Sequence, residues 1–319
     1  MQLKAALTAA VERLEAAEIG SPRLNAESLL MFVLGVNRAY LYAHPERELN
    51  PEEQARYDEV VAQRATGMPS QYITGHQEFW GLDFVVTPAV LIPRPETEHL
   101  VETVLELVRE SRDQLAGRMR IVDVGTGSGC IALALANELP SADLYATDIS
   151  AEALEIAKVN AARLQLESHV EFLHCDVLEP AGRASVHPRE NEVSRAAPVF
   201  AAPFHALDFV VSNPPYVAYS EANKVQKSVR EFEPLQAVFA GVKGLDVIGR
   251  VVEQAQAALK PGGWLAVEIG YSMRDEVLGL LDASLWHDVR VVPDLQGIPR
   301  VIGARKALPR STEIRSFDG

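Results

Sequence analysis

The sequence predicts an α/β protein: a doubly wound, mainly parallel sheet preceded by a small helical bundle. Three observations carry this. Apolar residues recur at three- and four-residue spacing over the first eighty or so positions, β-rich runs alternate with helical ones from Arg120 onward, and the loop joining the first strand to its helix is rich in glycine. A chain of 319 residues suffices for about two such units without disulfide or metal staples.

Leu3, Leu7, Val11 and Leu14 mark one helix, and Ala26, Leu30, Val33 and Leu34 a second. Ser21-Pro22 predicts an N-cap followed by a first-turn proline, Gly35 closes the second helix, and Pro51-Glu52-Glu53 opens another that ends near Gly67. Phe79–Val86, aromatic and β-branched around Gly81, predicts a short hairpin ahead of the proline-bounded stretch Pro88–Pro95. Strands are expected at Ile121–Val124, Asp143–Thr147, Val170–His174, Asp208–Ser212, Trp264–Ile269, Val289–Val292 and Val301–Ala304, with helices near 129–139, 151–165, 245–260 and 272–283. The segment Val177–Leu207, with four prolines and little periodicity, predicts a mobile insertion, and the tail from 307 to 319 is expected to be disordered.

Lysine and arginine number 30 against 44 acidic residues, a net charge of −14. Phosphate-backbone affinity depends on cationic side chains displacing counterions, so this balance argues against a general DNA or RNA binder. The longest early apolar run, Leu29–Leu34, is far short of a membrane span, and Glu12, Glu15 and Glu18 stand where a signal peptide needs an apolar core; a cytoplasmic protein is expected. Cys130 and Cys175 form neither a disulfide framework nor a zinc spacing, and both are expected to be small buried residues.

Asp123-Val124-Gly125-Thr126-Gly127-Ser128-Gly129 lies between a strand and a helix. Glycines there let the backbone approach a ligand that a Cβ would repel, and the helix N-terminus is expected to present free N–H groups. A nicotinamide dinucleotide is conceivable, since Gly127, Gly129 and Ala132 match a permissive glycine spacing with Asp148 some 20 residues on. S-adenosylmethionine fits the Asp-x-Gly-x-Gly-x-Gly form better. At the end of the second strand Asp148 could accept from both ribose hydroxyls, or else cap the next helix; Asp176, closing the third strand, could meet an adenine edge.

Asn213-Pro214-Pro215-Tyr216 follows the fourth strand, at the edge where open α/β sheets bind ligands. In isolation it could be a strand stop. Beside the glycine loop it suits a planar nitrogen, whose delocalised lone pair attacks a sulfonium methyl poorly unless held. The Asn213 side-chain carbonyl and the Pro214 backbone carbonyl could accept its two N–H bonds, and the Tyr216 ring could stack on the flat group.

Together these motifs resemble the PrmC/HemK family, the release factor glutamine methyltransferases, over nearly the whole chain. The resemblance extends to Ser21-Pro22-Arg23-Leu24-Asn25-Ala26-Glu27, Gln71-Tyr72-Ile73-Thr74-Gly75, Phe79-Trp80-Gly81 and Leu91-Ile92-Pro93-Arg94-Pro95-Glu96-Thr97-Glu98. It continues through Glu233-Pro234, Phe239-Ala240-Gly241, Gly244-Leu245-Asp246 and Gly297-x-x-Arg300. It implies the Rossmann-like, seven-stranded class I methyltransferase fold over 99–306, joined through a hairpin and linker at 79–98 to a helical substrate-recognition domain at 1–78. The implied substrate is the glutamine of the Gly-Gly-Gln motif in class-1 peptide release factors. Cofactor contacts are implied for Gly125, Thr126, Gly127, Ser128, Gly129, Asp148, Asp176, Val177 and Asn213, and substrate contacts for Asn213, Pro214, Pro215 and Tyr216, with Asn213, Pro214 and Tyr216 acting in catalysis. Val177 stands where the family frequently has an aromatic residue. Arg94 and Glu96 either help close the linker over the cofactor or simply belong to a proline turn. An adenine-N6 DNA methyltransferase, whose target amine has the same two N–H bonds, and an inactive S-adenosylmethionine-binding adaptor are the competing functions.

Overall fold

The computed structural model describes residues 1–111, 117–181 and 204–308. Most of the expected insertion at 177–207 and nearly all of the tail from 307 lie outside them. Two compact units form, and both are discontinuous in sequence. The first comprises Met1–Gln77, Val85–Ile92 and Asn223–Pro234; the second comprises Glu78–Phe84, Pro93–Ala222 and the chain from Leu235.

In the first unit α1 (Leu3–Ala16), α2 (Pro22–Leu34), α3 (Arg38–Ala43), α4 (Pro51–Ala65) and α5 (Ser70–Thr74) bury Leu3, Leu14, Leu29, Leu30, Tyr57 and Val61 in one core. The Tyr57 hydroxyl, deep in that core, donates to the Ala26 carbonyl at 3.0 Å. A full capping box opens α4: the Glu53 N–H donates to Asn50 Oδ1 at 2.8 Å, and Glu53 Oε2 accepts from the Asn50 N–H at 3.0 Å. The expected side-chain cap at Ser21 is absent. Ser21 is left-handed at φ 50°, whereas a capping residue needs extended backbone; Asn25 Nδ2 instead donates to the Gly20 and Ser21 carbonyls at 2.9 and 3.1 Å.

Strands β1 (His76–Phe79) and β2 (Leu82–Val85) form the expected hairpin. Trp80 and Gly81, with φ of 54° and 70°, make the two-residue turn whose twist matches paired strands. The amphipathic α6 (Glu98–Ser111), for which the sequence reading assigns no helix, buries Leu100, Val101, Val104, Leu107 and Val108.

The remaining elements are β3 (Arg120–Val124), α7 (Cys130–Glu138), β4 (Asp143–Asp148), α8 (Ala151–Arg163), β5 (Val170–Asp176), β6 (Glu179–Pro180) and β7 (Leu207–Ser212). They are followed by α9 (Lys227–Phe232), α10 (Leu235–Val238), α11 (Asp246–Ala258), β8 (Leu259–Glu268), α12 (Arg274–Leu278), β9 (Trp286–Pro293) and β10 (Pro299–Lys306). Among the described residues eight strands form one sheet in the order β6-β5-β4-β3-β7-β8-β10-β9. The run from β5 to β8 is parallel, β10 is antiparallel to β8 and β9, and β6 is antiparallel to β5. The sequence predicts seven strands; the eighth, β6, is a two-residue pairing too short to leave a periodicity. The helix expected at 272–283 shrinks to α12, because the Leu280 and Leu281 N–H groups bond three residues back in turns and the apolar run packs without helix.

Successive β3 residues feed opposite cores, Ile121 one and Val122 and Val124 the other, so both faces of the strand are buried. The chain goes from β3 outward to β4 and β5, then returns to β7 on the other flank of β3. This reversal opens a ligand crevice at the carboxyl ends of β3 and β7. Among the described residues no helix is long and apolar enough to cross a membrane.

Candidate active site

The glycine loop leaves β3 at Gly125. Gly125, Gly127 and Gly129 have φ of 74°, 56° and 85°, a region that side chains with a Cβ rarely adopt. A Cβ on Gly125 or Gly127 would meet nothing within 4 Å, so the loop has open space on that side. At Gly129 a Cβ would stand 3.1 Å from Leu133 and 3.2 Å from Ala157, so glycine permits close packing against α8. Fully buried Asp123 holds the loop from below: its Oδ2 accepts from Thr126 Oγ1 at 2.6 Å and from the Ala132 N–H at 3.2 Å. Burial pushes its carboxyl up to about 7 against those two bonds. As a sequence, the glycine motif assigns Asp123 no role.

Several backbone N–H groups of the loop itself are held within the protein. The Gly125 and Thr126 N–H groups both donate to the Thr147 carbonyl, at 2.8 and 2.9 Å, Gly129 N–H donates to Thr126 O at 2.9 Å, and Gly127 N–H donates to Asp148 Oδ2 at 2.9 Å. Those four donors are therefore engaged within the protein rather than offered to a ligand.

Asp148 ends β4 with its Oδ1 accepting from the Ser150 N–H at 2.8 Å. The cap of α8 belongs to Ser150, whose hydroxyl accepts from the Ala153 N–H at 3.1 Å, and not to Asp148. Burial holds the Asp148 carboxyl above the ordinary range despite three backbone donors, from Ser150, Gly127 and Ile149. With about four lone-pair sites on the carboxylate, three backbone donors leave room for one more. At the end of β5, Asp176 is paired with Arg250 at 2.8 Å. Buried Val177 has φ of 61°, and its carbonyl accepts from Thr147 Oγ1 at 2.8 Å.

Strand β7 is buried along its whole length, and Ser212 Oγ donates to the Val124 carbonyl at 2.7 Å, tying the end of β7 to the end of β3. Asn213 follows. Its Nδ2 donates to Thr97 Oγ1 at 3.0 Å, a contact that sequence reasoning does not anticipate. Tyr216 packs over Gly270, where a Cβ would stand 3.1 Å from its Cδ2 and 3.1 Å from Met273 Sδ. Burial, with the nearby Glu268 charge, pushes the Tyr216 hydroxyl up to about 12, so it stays a neutral phenol. Beyond the tetrapeptide, the Val217 N–H donates to Val238 O at 3.0 Å and the Ala240 N–H to Val217 O at 2.9 Å, pinning the loop. A Cβ on left-handed Gly244 would collide with the Tyr216 carbonyl. One edge therefore gathers the glycine loop, Asp148, Asn213 and Tyr216, with Asp176 and Val177 one strand further out.

Residues 5–75 match the family model for the PrmC N-terminal domain, and residues 115–276 match that for a methyltransferase domain. A release factor glutamine methyltransferase of Koribacter versatilis is 52% identical over 307 residues, covering 96% of this chain and 99% of that one. One of Nitratidesulfovibrio vulgaris is 38% identical over 96% of both chains. Among solved structures, the hMettl16 catalytic domain in complex with the MAT2A 3′UTR hairpin 6 shares the fold at a TM-score of 0.52 and 17% identity, covering 79% of this chain and 83% of that one. Fold and site define a class I methyltransferase. More specifically, the chain belongs to the release factor glutamine methyltransferase family.

The packing at Gly244 yields a direct test. Gly244→Ala adds left-handed strain and displaces the Tyr216 carbonyl, so urea denaturation is expected to show a loss of about 1 kcal/mol or more, with the change in side-chain NMR signals centred on Tyr216.

Proposed function

We propose that this enzyme transfers a methyl group from S-adenosylmethionine to the side-chain amide nitrogen of the glutamine in the Gly-Gly-Gln motif of class-1 peptide chain release factors, in the cytoplasm and without binding DNA or membranes. The observation that carries this reading is Asn213 at the carboxyl end of β7, held by its Nδ2 on Thr97 so that its Oδ1 is left to receive an N–H. The helical unit is the part that recognises the release factor.

The residues present fit the cofactor: open space beside Gly125 and Gly127, and a carboxylate at the end of β4 with acceptor capacity remaining. Gly125 to Gly129 would hold its methionine end, Asp148 its ribose, and Asp176 and Val177 its adenine region. When bound, it supplies an electrophilic methyl on a sulfonium. The chain's own part is to make a poor nucleophile attack. Asn213 Oδ1 and the Pro214 carbonyl accept the two amide N–H bonds and fix the plane of the glutamine side chain. The Tyr216 ring, backed by Gly270 and Met273, covers the flat group and excludes water. Positive charge developing on nitrogen strengthens both hydrogen bonds, so these acceptors favour the transition state over the ground state. The proton becomes acidic only after alkylation, so no base is needed before transfer.

Purified protein is expected to add one methyl to the Gly-Gly-Gln glutamine of an unmodified release factor, read by peptide mass spectrometry; no methylation of any class-1 factor from the source organism would refute the substrate. Asp148→Ala removes charge-assisted hydrogen bonds worth about 1.5–3 kcal/mol, so calorimetry should show S-adenosylmethionine affinity falling roughly ten- to a hundredfold. Asn213→Ala should slow transfer about a hundredfold or more while cofactor binding survives. Tyr216→Phe should keep much of the activity that Tyr216→Ala loses. Equal inactivity of the two Tyr216 variants, with both folded by thermal melts, would overturn the covering role of the ring.

A further inference from the structure

Ser212 lies opposite Val267 in the parallel register, and the chain runs on from these to Asn213, just beyond β7, and to Glu268, the last residue of β8. Both Glu268 and Thr97 are only 2% exposed, a depth at which a carboxyl is rare without a paired charge. The Thr97 hydroxyl is shared between them: it accepts from Asn213 Nδ2 at 3.0 Å and hydrogen-bonds the Glu268 carboxyl. Glu268 Oε2 has no hydrogen-bond partner among the described residues.

A hydroxyl has one proton to give. An ionised Glu268 only accepts, so Thr97 must donate to it and can only accept from Asn213. That polarity turns Nδ2 toward Thr97 and Oδ1 away from it. If Glu268 is protonated, it can donate to Thr97, Thr97 can donate to Oδ1, and the amide then presents its NH2 to a substrate that itself offers N–H groups. We propose that, given the glutamine-methylating activity above, Glu268 and Thr97 are positioning residues whose hydrogen-bond polarity decides which end of the Asn213 amide faces the substrate.

The relay is sensitive to pH. Burial pushes the Glu268 carboxyl up to about 7, opposed by the Thr97 hydrogen bond and by Arg300, and raised further by Glu96. The charged and titratable groups facing it are Arg94 and Glu96 ahead of α6, Cys130 at the start of α7, Tyr216 after β7 and Arg300 on β10. Arg300 is itself held by Asp294 at 2.9 Å. Ionisation increases as pH rises through 7, so kcat should climb over that interval.

The test compares Thr97→Val, which keeps the shape and deletes the hydroxyl, with Thr97→Ser and Glu268→Gln in the full chain. Thr97→Val should lower kcat about ten- to a hundredfold with S-adenosylmethionine affinity within about twofold of the parent, and Thr97→Ser should restore most of the rate. Glu268→Gln, whose amide can donate or accept, should lower kcat and flatten the rise near pH 7. In the parent, NMR of the selectively labelled Asn213 side-chain amide should titrate near pH 7, and in Glu268→Gln it should not. Parental kcat in Thr97→Val, equal loss in Thr97→Val and Thr97→Ser, or an Asn213 amide indifferent to pH would overturn the relay. If Thr97→Val does not fold, the Glu268→Gln and NMR results decide alone. A parent that methylates no release factor refutes the proposed substrate instead, and the NMR titration still tests the relay.

Discussion

The parallel register of three strands governs the site: Val124 on β3 lies opposite Ser212 on β7, and Ser212 lies opposite Val267 on β8. Because side chains alternate faces along a strand, a slip of one residue in either pairing would exchange the residues of the two cores and separate the strand ends. With the register as found, the glycine loop, Asn213 and Glu268 leave the sheet at the same level. The Ser212 hydroxyl on the Val124 carbonyl locks that level at the point where the strands stop. Buried Asp123, gripping Thr126 and Ala132, then fixes the direction in which the loop departs.

Acceptors stand at the strand ends of this edge. Four backbone donors of the glycine loop are turned inward, onto Thr126, Thr147 and Asp148, while carboxylates and an amide oxygen stand at the strand ends. Such acceptors suit ribose hydroxyls, amide N–H bonds and cationic centres.

Strands β3, β4 and β7, the glycine loop, Asp148 and the Asn-Pro-Pro-Tyr motif were legible because each is written in a few consecutive residues. Thr97 was not: it lies 116 positions from Asn213 and sits in a proline turn that gives no sign of its partner. Glu268 breaks a short apolar run, between Val267 and Ile269, where an acid ordinarily marks a residue reaching solvent, yet it is buried. In α6 the three- and four-residue spacing is present in Leu100, Val101, Val104 and Val108, but it lies between a proline-bounded stretch and the first sheet strand. Ser21 shows the opposite failure, a sound capping pattern defeated by a left-handed backbone angle.

The division of the chain into discontinuous units bears on how it is made. Residues 223–234, which contain α9, cluster with the helical unit, although nearly all of the chain between 93 and 234 belongs to the other. Within that segment Glu233 Oε2 accepts from the Ile92 N–H at 3.2 Å. On a ribosome, where domains ordinarily finish in order from the N-terminus, the helical unit must wait for more than a hundred further residues before its last piece emerges. Neither half can be cut out cleanly at the proline-bounded linker, so the chain's order of synthesis and its order of completion are interleaved.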